Sequence, residues 1–296
     1  MKRLLLLGAS GFLGWHLCRV LGGAWDIHAL SRANLALHTP KGLGPRTSGL
    51  ADIRDPAALA GVFASIRPDA VLNAAALSDP NRCQLDPEES RAVNLTAALN
   101  VAELCAERAV PLVFISTDLV FDGTAAPYAE PDQPRPLSVY GEHKALAEQG
   151  VLARHPAAAV CRLPLLYGEA GGPGKSFLQG MLAAIAEGRE LTLFEDEFRT
   201  PVSGRDAALG LGLVLERGIR GLLHLGGPER LSRLEFGRLL AQALPGENVR
   251  IRAARRADAP MPAPRPADVS LDSNKAFGLG FSPRTVREEL SRILPH

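Results

Sequence analysis

Short apolar runs alternate with helix-like segments through the first 165 residues of the chain. The strand-like runs are Leu4–Leu7, Asp26–Leu30, Ser48–Leu50, Ala70–Asn73, Leu112–Ile115 and Ala158–Arg162. The helix-like segments between them are Phe12–Leu21, Pro56–Ile66, Glu88–Glu107 and Ser138–Ala153. Such alternation predicts an α/β fold with a doubly wound parallel sheet and right-handed crossovers.

After Leu166 the alternation becomes less regular, although Phe177–Ala186 and Gly204–Leu215 still read as helices and Leu222–Leu225 as a strand. We therefore expect a smaller, interleaved C-terminal substrate domain beside the sheet domain. The predicted sheet domain comprises residues 1–165 with residues 200–228 returning to it, and the predicted substrate domain comprises residues 166–199 and 229–296.

The composition excludes several classes of function. With 33 basic and 32 acidic side chains the net charge is +1, which gives no support to a nucleic acid or a membrane surface as the main partner. No apolar stretch approaches the roughly 20 residues that span a bilayer. The cysteines show no CxxC spacing, which favours free thiols in a cytoplasmic protein; they are Cys18, Cys83, Cys105 and Cys161. The histidines form no HxxxH or HExxH pair, so no metal site is predicted.

The opening stretch MKRLLLLGASGFLG has two readings, a secretory signal or a buried strand that leads into a turn. A signal needs roughly 7–15 apolar residues and a small-residue cleavage site. Here only four leucines precede Gly8, so the strand is the better interpretation.

Three glycines follow that strand and precede a helix, in the order Gly8, Gly11 and Gly14. Glycine permits positive φ and lets backbone amides approach a pyrophosphate, and the helix N-terminus adds a favourable dipole. The pattern GxxGxxG is one residue wider in its first gap than the usual dinucleotide fingerprint. We interpret it as the turn of a Rossmann-type dinucleotide-binding domain, with Ser10, Phe12 and Leu13 also at the cofactor.

The end of the second strand indicates which dinucleotide binds. An acidic residue there would accept the ribose 2′-hydroxyl of NAD, but the strand ends in Ser31 and Arg32. Because Arg binds phosphate well, we predict NADPH (NADP) as the cofactor. The alternative is that Arg32 is only a solvated surface charge.

Two further stretches are predicted to line the same groove. Asp52 and Ile53 follow the third strand, where a carboxylate could meet the adenine amino group, although Asp52 could equally cap a turn before Pro56. The chain leaves the fourth strand through residues with small side chains, which would allow its backbone to pass close to the cofactor. These residues are Asn73, Ala74, Ala75 and Ala76.

Tyr140 and Lys144 are four residues apart on a predicted helix and share one face. Thr117 follows the fifth strand, at the sheet edge where ligands bind in such folds. A ketone that receives hydride needs a proton donor and hydrogen bonds at its oxygen. Tyr140 can donate if nearby positive charge lowers its pKa towards neutrality, and Lys144 can also hold the nicotinamide ribose. His143 is interpreted as a surface residue.

Together these motifs resemble the extended short-chain dehydrogenase/reductase superfamily, and within it the dTDP-4-dehydrorhamnose reductase family. The matching pieces are GASGFLG at Gly8, NAAA at Asn73, VN at Val93–Asn94, STDLVFDG at Ser116, PLSVYGEHK ending at Lys144 and RPADVSLDSNK at Arg265. STDxVFDG followed by YGxxK is specific to this branch, whereas GxxGxxG is not.

The resemblance implies a catalytic triad of Thr117, Tyr140 and Lys144. It implies that Asn94 positions the lysine through water, against the alternative of a buried Asn that satisfies backbone groups. It also implies that Ser78, Arg162 and Arg199 border the substrate, although Arg199 could instead pair with Glu195 or Glu197. A proline-rich loop could meet a diphosphate through Arg252, Arg255, Arg256 and Arg265, unless these arginines are merely solvated. Helices over 88–107 and 138–153 could pair two subunits as a homodimer, as in relatives.

The resemblance implies an NADPH-dependent reductase of a 4-keto nucleotide sugar. One segment departs from the family pattern, because LSDPNRCQLDPEE follows NAAA. LSDPNRCQ and RLPLLYGE are similar to a sister group that includes the regulatory β subunit of methionine adenosyltransferase, so a non-catalytic NADP-binding subunit is the main alternative. A nucleotide-sugar epimerase is disfavoured by the Ser31-Arg32 ending. A dehydratase is disfavoured because Leu119 stands where those enzymes carry an acid.

Overall fold

The computed structural model describes residues 1–32, 45 and 47–294 of the chain. Its strands are β1 (Lys2–Leu7), β2 (Trp25–Ser31), β3 (Thr47–Leu50), β4 (Ala70–Asn73), β5 (Leu112–Thr117), β6 (Ala159–Leu163), β7 (Leu166–Tyr167), β8 (Leu191–Phe194), β9 (Phe198–Arg199), β10 (Val202–Ser203), β11 (Gly221–His224), β12 (Leu231–Ser232) and β13 (Ile251–Ala254). Its α-helices are α1 (Phe12–Leu21), α2 (Pro56–Ile66), α3 (Pro80–Leu85), α4 (Pro87–Arg91), α5 (Ala97–Glu107), α6 (Val139–Arg154), α7 (Phe177–Ala186), α8 (Gly204–Arg217), α9 (Arg233–Gln242), α10 (Asn274–Gly278) and α11 (Val286–Ile293). A π-helical turn spans Ala92–Thr96, and 3₁₀ turns span Asp118–Val120 and Arg256–Asp258.

One central sheet has the strand order β3-β2-β1-β4-β5-β6-β11, and all of its neighbouring strands run parallel. The order reverses between β1 and β4, so their connections leave on opposite faces and open a crevice at the carboxyl ends of the strands. This arrangement confirms the prediction of a Rossmann-type, doubly wound α/β fold. The sequence placed each strand of this sheet to within two residues at either end.

Apolar side chains form a core on each face of the sheet. Leu4, Leu6 and Ile27 belong to the core that α1 and α8 cover, whereas Leu5 and Leu7 belong to the core that α2, α5 and α6 cover. Alternate leucines of β1 therefore point to opposite faces and are all fully buried, which is why the strand reads as a continuous apolar run.

A separate apolar core lies in the C-terminal half of the chain. It is formed by buried residues of β7, α7, β8, α9 and α11, namely Tyr167, Leu178, Met181, Ala184, Leu191, Phe236, Leu240, Val286 and Leu290. Ala276 and Phe281 instead pack in the core under α1 and α8. The division into two domains stays a prediction, and these two residues lie outside the range predicted for the sheet domain.

The predicted continuous helix over 88–107 is wrong in detail. Asp79 and Asp86 each accept hydrogen bonds from backbone amides and are followed by proline, so they start the short helices α3 and α4. A π turn then separates α4 from α5, with Asn94 at its centre. Such turns are rare and occur mostly at functional sites.

Across the described residues, no helix combines the length and the apolar character needed to cross a membrane. The four cysteines are free and buried.

Candidate active site

The turn after β1 can be built only with glycine at two of its positions. Gly8 has φ +84°, and a Cβ there would lie 2.5 Å from the amide nitrogen of Ala75. A Cβ on Gly14 would lie 2.4 Å from the carbonyl oxygen of Gly8. Because both collisions are with backbone, the glycines allow the β1 turn, the β4 exit and α1 to approach closely.

The N-terminus of α1 is suited to an anionic group. Its N-cap is Gly11, which has no side chain to accept hydrogen bonds from the first-turn amides. In contrast, α2, α6 and α8 are capped by Asp55, Ser138 and Ser203. The exposed amides and the helix dipole therefore remain available, and the residues present fit the pyrophosphate of a dinucleotide.

A cavity of about 210 Å³ opens at the carboxyl ends of β1 to β4. Its lining brings together ten of the predicted cofactor residues, which are Gly8, Ser10, Gly11, Ser31, Arg32, Asp52, Ile53, Ala74, Ala75 and Ala76. Arg54, Leu77, Glu89 and Val93 line it as well. Residues 33–44, which follow Arg32, lie outside the described part of the chain.

Asp52 stabilises a turn and lines the cavity, whereas its contact with adenine stays a prediction. Its carboxylate accepts hydrogen bonds from the Arg54 backbone amide at 2.9 Å and from Arg54 Nε at 2.9 Å, so it stabilises the turn before Pro56 while it lines the cavity. The side-chain hydrogen bond from Arg54 lowers the pKa of Asp52. The N-cap of α2 is Asp55.

Asn73 ends β4 beside the same crevice. Its Oδ1 accepts from the Ala75 amide at 3.2 Å. Its Nδ2 is a buried donor for which the described residues provide no acceptor. Such a group is costly unless a ligand or water supplies the acceptor, and the requirement fits a polar group bound at this edge.

The three predicted catalytic side chains lie around the end of β5. Thr117 and Tyr140 are each 7% exposed, and Lys144 is 2% exposed one helical turn further along α6. Gly141 permits this packing, because a Cβ there would lie 2.2 Å from the Leu119 carbonyl oxygen. The predicted YxxxK arrangement therefore occurs at the sheet edge, on the face that packs against β5.

Lys144 is held in place by two contacts. Its Nζ donates to the Ile115 carbonyl oxygen at 2.5 Å and lies 4.0 Å from the centre of the Phe114 ring. Burial lowers the pKa of Lys144 to about 7, and the Glu148 carboxylate opposes that shift.

The pKa of Tyr140 is shifted in the direction opposite to the prediction. Burial raises it, and the neighbouring Cys83 and Asp118 raise it further, whereas the nearby Thr117 hydroxyl and Arg199 lower it. Lys144 donates to a backbone carbonyl instead of supplying the expected positive charge at the phenol. In this arrangement Tyr140 keeps its proton as a neutral phenol.

The depressed pKa of Lys144 predicts a pH-dependent stability. The folded protein releases this proton near pH 7, whereas the unfolded chain keeps it up to the ordinary lysine pKa of 10.5. Between these limits the unfolded state binds more protons, so the free energy of unfolding should rise with pH. Urea titrations from pH 7 to 10 should show a rise that Lys144→Met flattens. An identical slope in this variant would contradict the shift, and Lys175→Met serves as an exposed control.

Asn94 and His143 lie beside the catalytic group. The Asn94 amide pairs with the backbone of Leu77, accepting from its N–H and donating to its C=O, both at 3.0 Å. These contacts match the backbone-satisfying alternative, and the water link to Lys144 stays a prediction. The surface interpretation of His143 is wrong, because the ring is buried with Nδ1 2.8 Å from Ser90 Oγ.

Three residues predicted to border the substrate are placed differently from one another. Arg162 is 1% exposed and pairs with Glu148 at 2.7 Å. Arg199 donates to both carboxylate oxygens of Asp118 at 2.8 Å. Its Nη2 lies 3.6 Å from Glu197, so one of the anticipated acidic pairings occurs. Ser78 is exposed on the segment after Leu77.

The arginines predicted to meet a diphosphate are largely paired with acids. Arg252 and Arg255 bond to Glu190 and Glu195 at 3.1 Å, with most of each side chain in solvent. Arg256 bonds to the backbone and carboxylate of Asp196. Arg265 Nη2 instead lies 3.4 Å from the side-chain oxygen of Asn81, and it faces a cavity of about 420 Å³.

Comparison with known proteins identifies the family. The model of the RmlD substrate binding domain matches residues 1–296. The chain belongs to this family. A dTDP-4-dehydrorhamnose reductase of Mycobacterium tuberculosis is 32% identical over 300 residues, covering 99% of this chain and 92% of the relative. Methionine adenosyltransferase 2 subunit beta of Xenopus laevis is 30% identical over 314 residues, covering 98% of this chain and 87% of the relative.

A solved structure supports the fold of this RmlD-family chain. The dTDP-4-dehydrorhamnose reductase of Bacillus anthracis, determined in complex with NADP, has a TM-score of 0.87. The match covers 99% of this chain and 98% of the other at 24% sequence identity.

One loop of the RmlD-family chain reaches across to the glycine turn. Residues 168–175, here called the α1-facing loop, lie on α1. Glu169 bonds to Arg19 at 2.6 Å, and a Cβ on Gly174 would lie 2.2 Å from the Phe12 amide nitrogen. The segment that leads to α7 therefore contacts the helix that would hold the cofactor.

Sequence reasoning missed three residues of this RmlD-family site. Asp118 pairs with Arg199, Glu148 bonds to Arg162 and accepts from Ser116, and Cys83 packs against Tyr140 and Leu119. A signal existed for Glu148, since it follows Lys144 by four residues on the same helix face. No local signal pointed to Cys83, because its contact with Tyr140 crosses from α3 to α6.

Proposed function

We propose that this chain is an NADPH-dependent reductase of a 4-keto nucleotide sugar. The observation that carries this proposal is the grouping of Thr117, Tyr140 and Lys144 at the carboxyl edge of the sheet, beside a glycine turn with an uncapped helix. The reductases among its RmlD-family relatives supply the class of substrate.

Each catalytic residue has a distinct role. The bound NADPH would supply the hydride to the substrate carbonyl carbon. Tyr140 gives its proton to the carbonyl oxygen, and burial keeps that proton in place until negative charge develops there. Thr117 donates a hydrogen bond to the same oxygen. Lys144 would hold the ribose of the nicotinamide, and burial of all three side chains keeps competing water away.

The binding residues divide between cofactor and substrate. The first-turn amides of α1 hold the pyrophosphate, and Arg32 is placed to hold the 2′-phosphate. We infer that Ser78, which is exposed directly after the cavity-lining Leu77, meets the sugar. Because Arg162 and Arg199 are buried and paired, we infer that they act by positioning Glu148 and Asp118.

The direct test is turnover with NADPH and a dTDP-4-keto-6-deoxy-hexose, followed by the absorbance of the reduced nicotinamide and by chromatography of the sugar nucleotide. We expect one equivalent of NADPH to be oxidised for each hydroxyl formed. Binding of NADPH without turnover across a panel of 4-keto nucleotide sugars would overturn the proposal.

A regulatory subunit is the second candidate. It is favoured by the 30% identity to methionine adenosyltransferase 2 subunit beta over 98% of the chain and by the segment that begins at Leu77. Co-purification with a methionine adenosyltransferase catalytic subunit, together with a lack of sugar reduction, would support this alternative.

The cofactor assignment makes a prediction for Arg32. Its guanidinium is 58% exposed and lines the cavity, so Arg32→Ala should weaken NADPH binding about tenfold and leave NADH binding nearly unchanged. Fluorescence titration with each cofactor measures both constants. Arg108→Ala, at an exposed arginine directly after α5, is the control. Equal weakening of both cofactors by Arg32→Ala would contradict the assignment.

Two further assignments belong to the proposal. A cytoplasmic location is supported by four free, buried thiols. Pairing of two copies through α5 and α6 would cover Leu146, which is 39% exposed on α6. Light scattering coupled to gel filtration measures that association.

A further inference from the structure

The wall of the cofactor cavity near Arg32 carries charges of both signs. Arg32, Arg54, Asp52 and Glu89 all line it. Two of these charges form an ion pair, because the Arg54 guanidinium donates to both carboxylate oxygens of Asp52. The remaining pair, Arg32 and Glu89, is therefore the one that meets an incoming ligand.

Arg32 and Glu89 are only loosely joined. Arg32 Nη1 lies 3.5 Å from Glu89 Oε1, and the arginine side chain is 58% exposed. Glu89 is more firmly fixed, because Arg82 Nη2 donates to its other oxygen at 2.5 Å and only 19% of its side chain is exposed. An incoming ligand can thus recruit Arg32 easily, whereas Glu89 stays beside the same position.

A fixed carboxylate next to the phosphate-binding arginine has opposite effects on the two dinucleotides. It repels the doubly charged 2′-phosphate of NADP and competes with it for Arg32. It does not repel the neutral ribose 2′-hydroxyl of NAD and can accept a hydrogen bond from it. The usual acid at the end of β2 is absent, so this chain supplies one from α4 instead.

We propose that Glu89 is a specificity-determining residue that restrains the preference for NADP over NAD, and that Arg82 limits this effect by partly neutralising the Glu89 carboxylate. This inference rests on the proposed cofactor site. Glu89 lies 57 positions after Arg32 and on a different element, so no sequence pattern around β2 reveals its role.

The test compares Glu89→Gln with Glu88→Gln. Both residues lie in the first turn of α4 and both variants remove one negative charge, but Glu88 is exposed and does not line the cavity. Titrations of NADP⁺ and NAD⁺ by calorimetry in low salt should show that Glu89→Gln tightens NADP⁺ about fivefold and leaves NAD⁺ unchanged or weaker. Glu88→Gln should change the ratio of the two constants by less than about twofold, and added salt should shrink the difference.

A second variant should change the ratio of the NADP⁺ and NAD⁺ affinities in the opposite direction. Arg82→Gln removes the cation that neutralises Glu89, so NADP⁺ should bind more weakly while NAD⁺ does not. An unchanged ratio in Glu89→Gln, or equal effects of Glu89→Gln and Glu88→Gln, would overturn this inference and leave the proposed function intact. Failure of the unaltered protein to bind either dinucleotide would overturn both.

Discussion

Replacing Tyr140 with phenylalanine should reduce the turnover of a 4-keto nucleotide sugar about a thousandfold. The ring would still pack against Cys83 and Leu119, but the hydroxyl that delivers the proton would be gone. NADPH affinity should stay close to that of the unaltered protein. Stopped-flow absorbance for turnover and fluorescence titration for binding separate the two quantities.

The chain offers a matched control in Tyr167. Its hydroxyl is buried in the second core, and the described residues provide it with no hydrogen-bond partner. Tyr167→Phe should therefore leave turnover unchanged and the melting temperature equal or higher. Full activity in Tyr140→Phe would rule out this residue as the proton donor, whatever the control shows.

Replacing Gly8 with alanine should have the largest effect on stability. The added methyl group would meet the Ala74–Ala75 backbone and would sit on a residue with φ +84°. Left-handed strain and overpacking each cost about 1–3 kcal/mol, so we expect about 2–6 kcal/mol of destabilisation. Cofactor binding should also be lost, because the turn and the β4 exit must separate. Urea denaturation and NADPH titration measure the two effects.

Gly61→Ala is the corresponding control. Gly61 lies within α2, and a Cβ there would meet nothing within 4 Å. Alanine in place of glycine inside a helix should stabilise the protein by about 0.5–1 kcal/mol. If Gly8→Ala melts and binds NADPH as the unaltered protein does, the glycine turn does not have the role assigned to it.

The sequence was sufficient for features that depend on local pattern. The leucines of β1 predicted a doubly buried strand, and the ends of α1, α2 and α7 were placed to the residue. The cofactor cavity could also be anticipated, because the carboxyl ends of parallel strands meet at one sheet edge.

Features that depend on contacts between distant segments were not accessible in this way. The buried environment of His143 arises from Ser90, 53 positions away. The upward shift of the Tyr140 pKa comes from burial and from Cys83 and Asp118. No sequence pattern predicts that these two residues lie near Tyr140. The continuous helix over 88–107 differs for another reason, because a π turn over Ala92–Thr96 interrupts it and no apolar spacing marks such a turn.

The α1-facing loop joins the two halves of the molecule mechanically. It begins after β7, touches the first turn of α1 and ends at Ser176, which caps α7 over the second core. A ligand bound at the N-terminus of α1 would therefore lie beside the same segment that leads into α7.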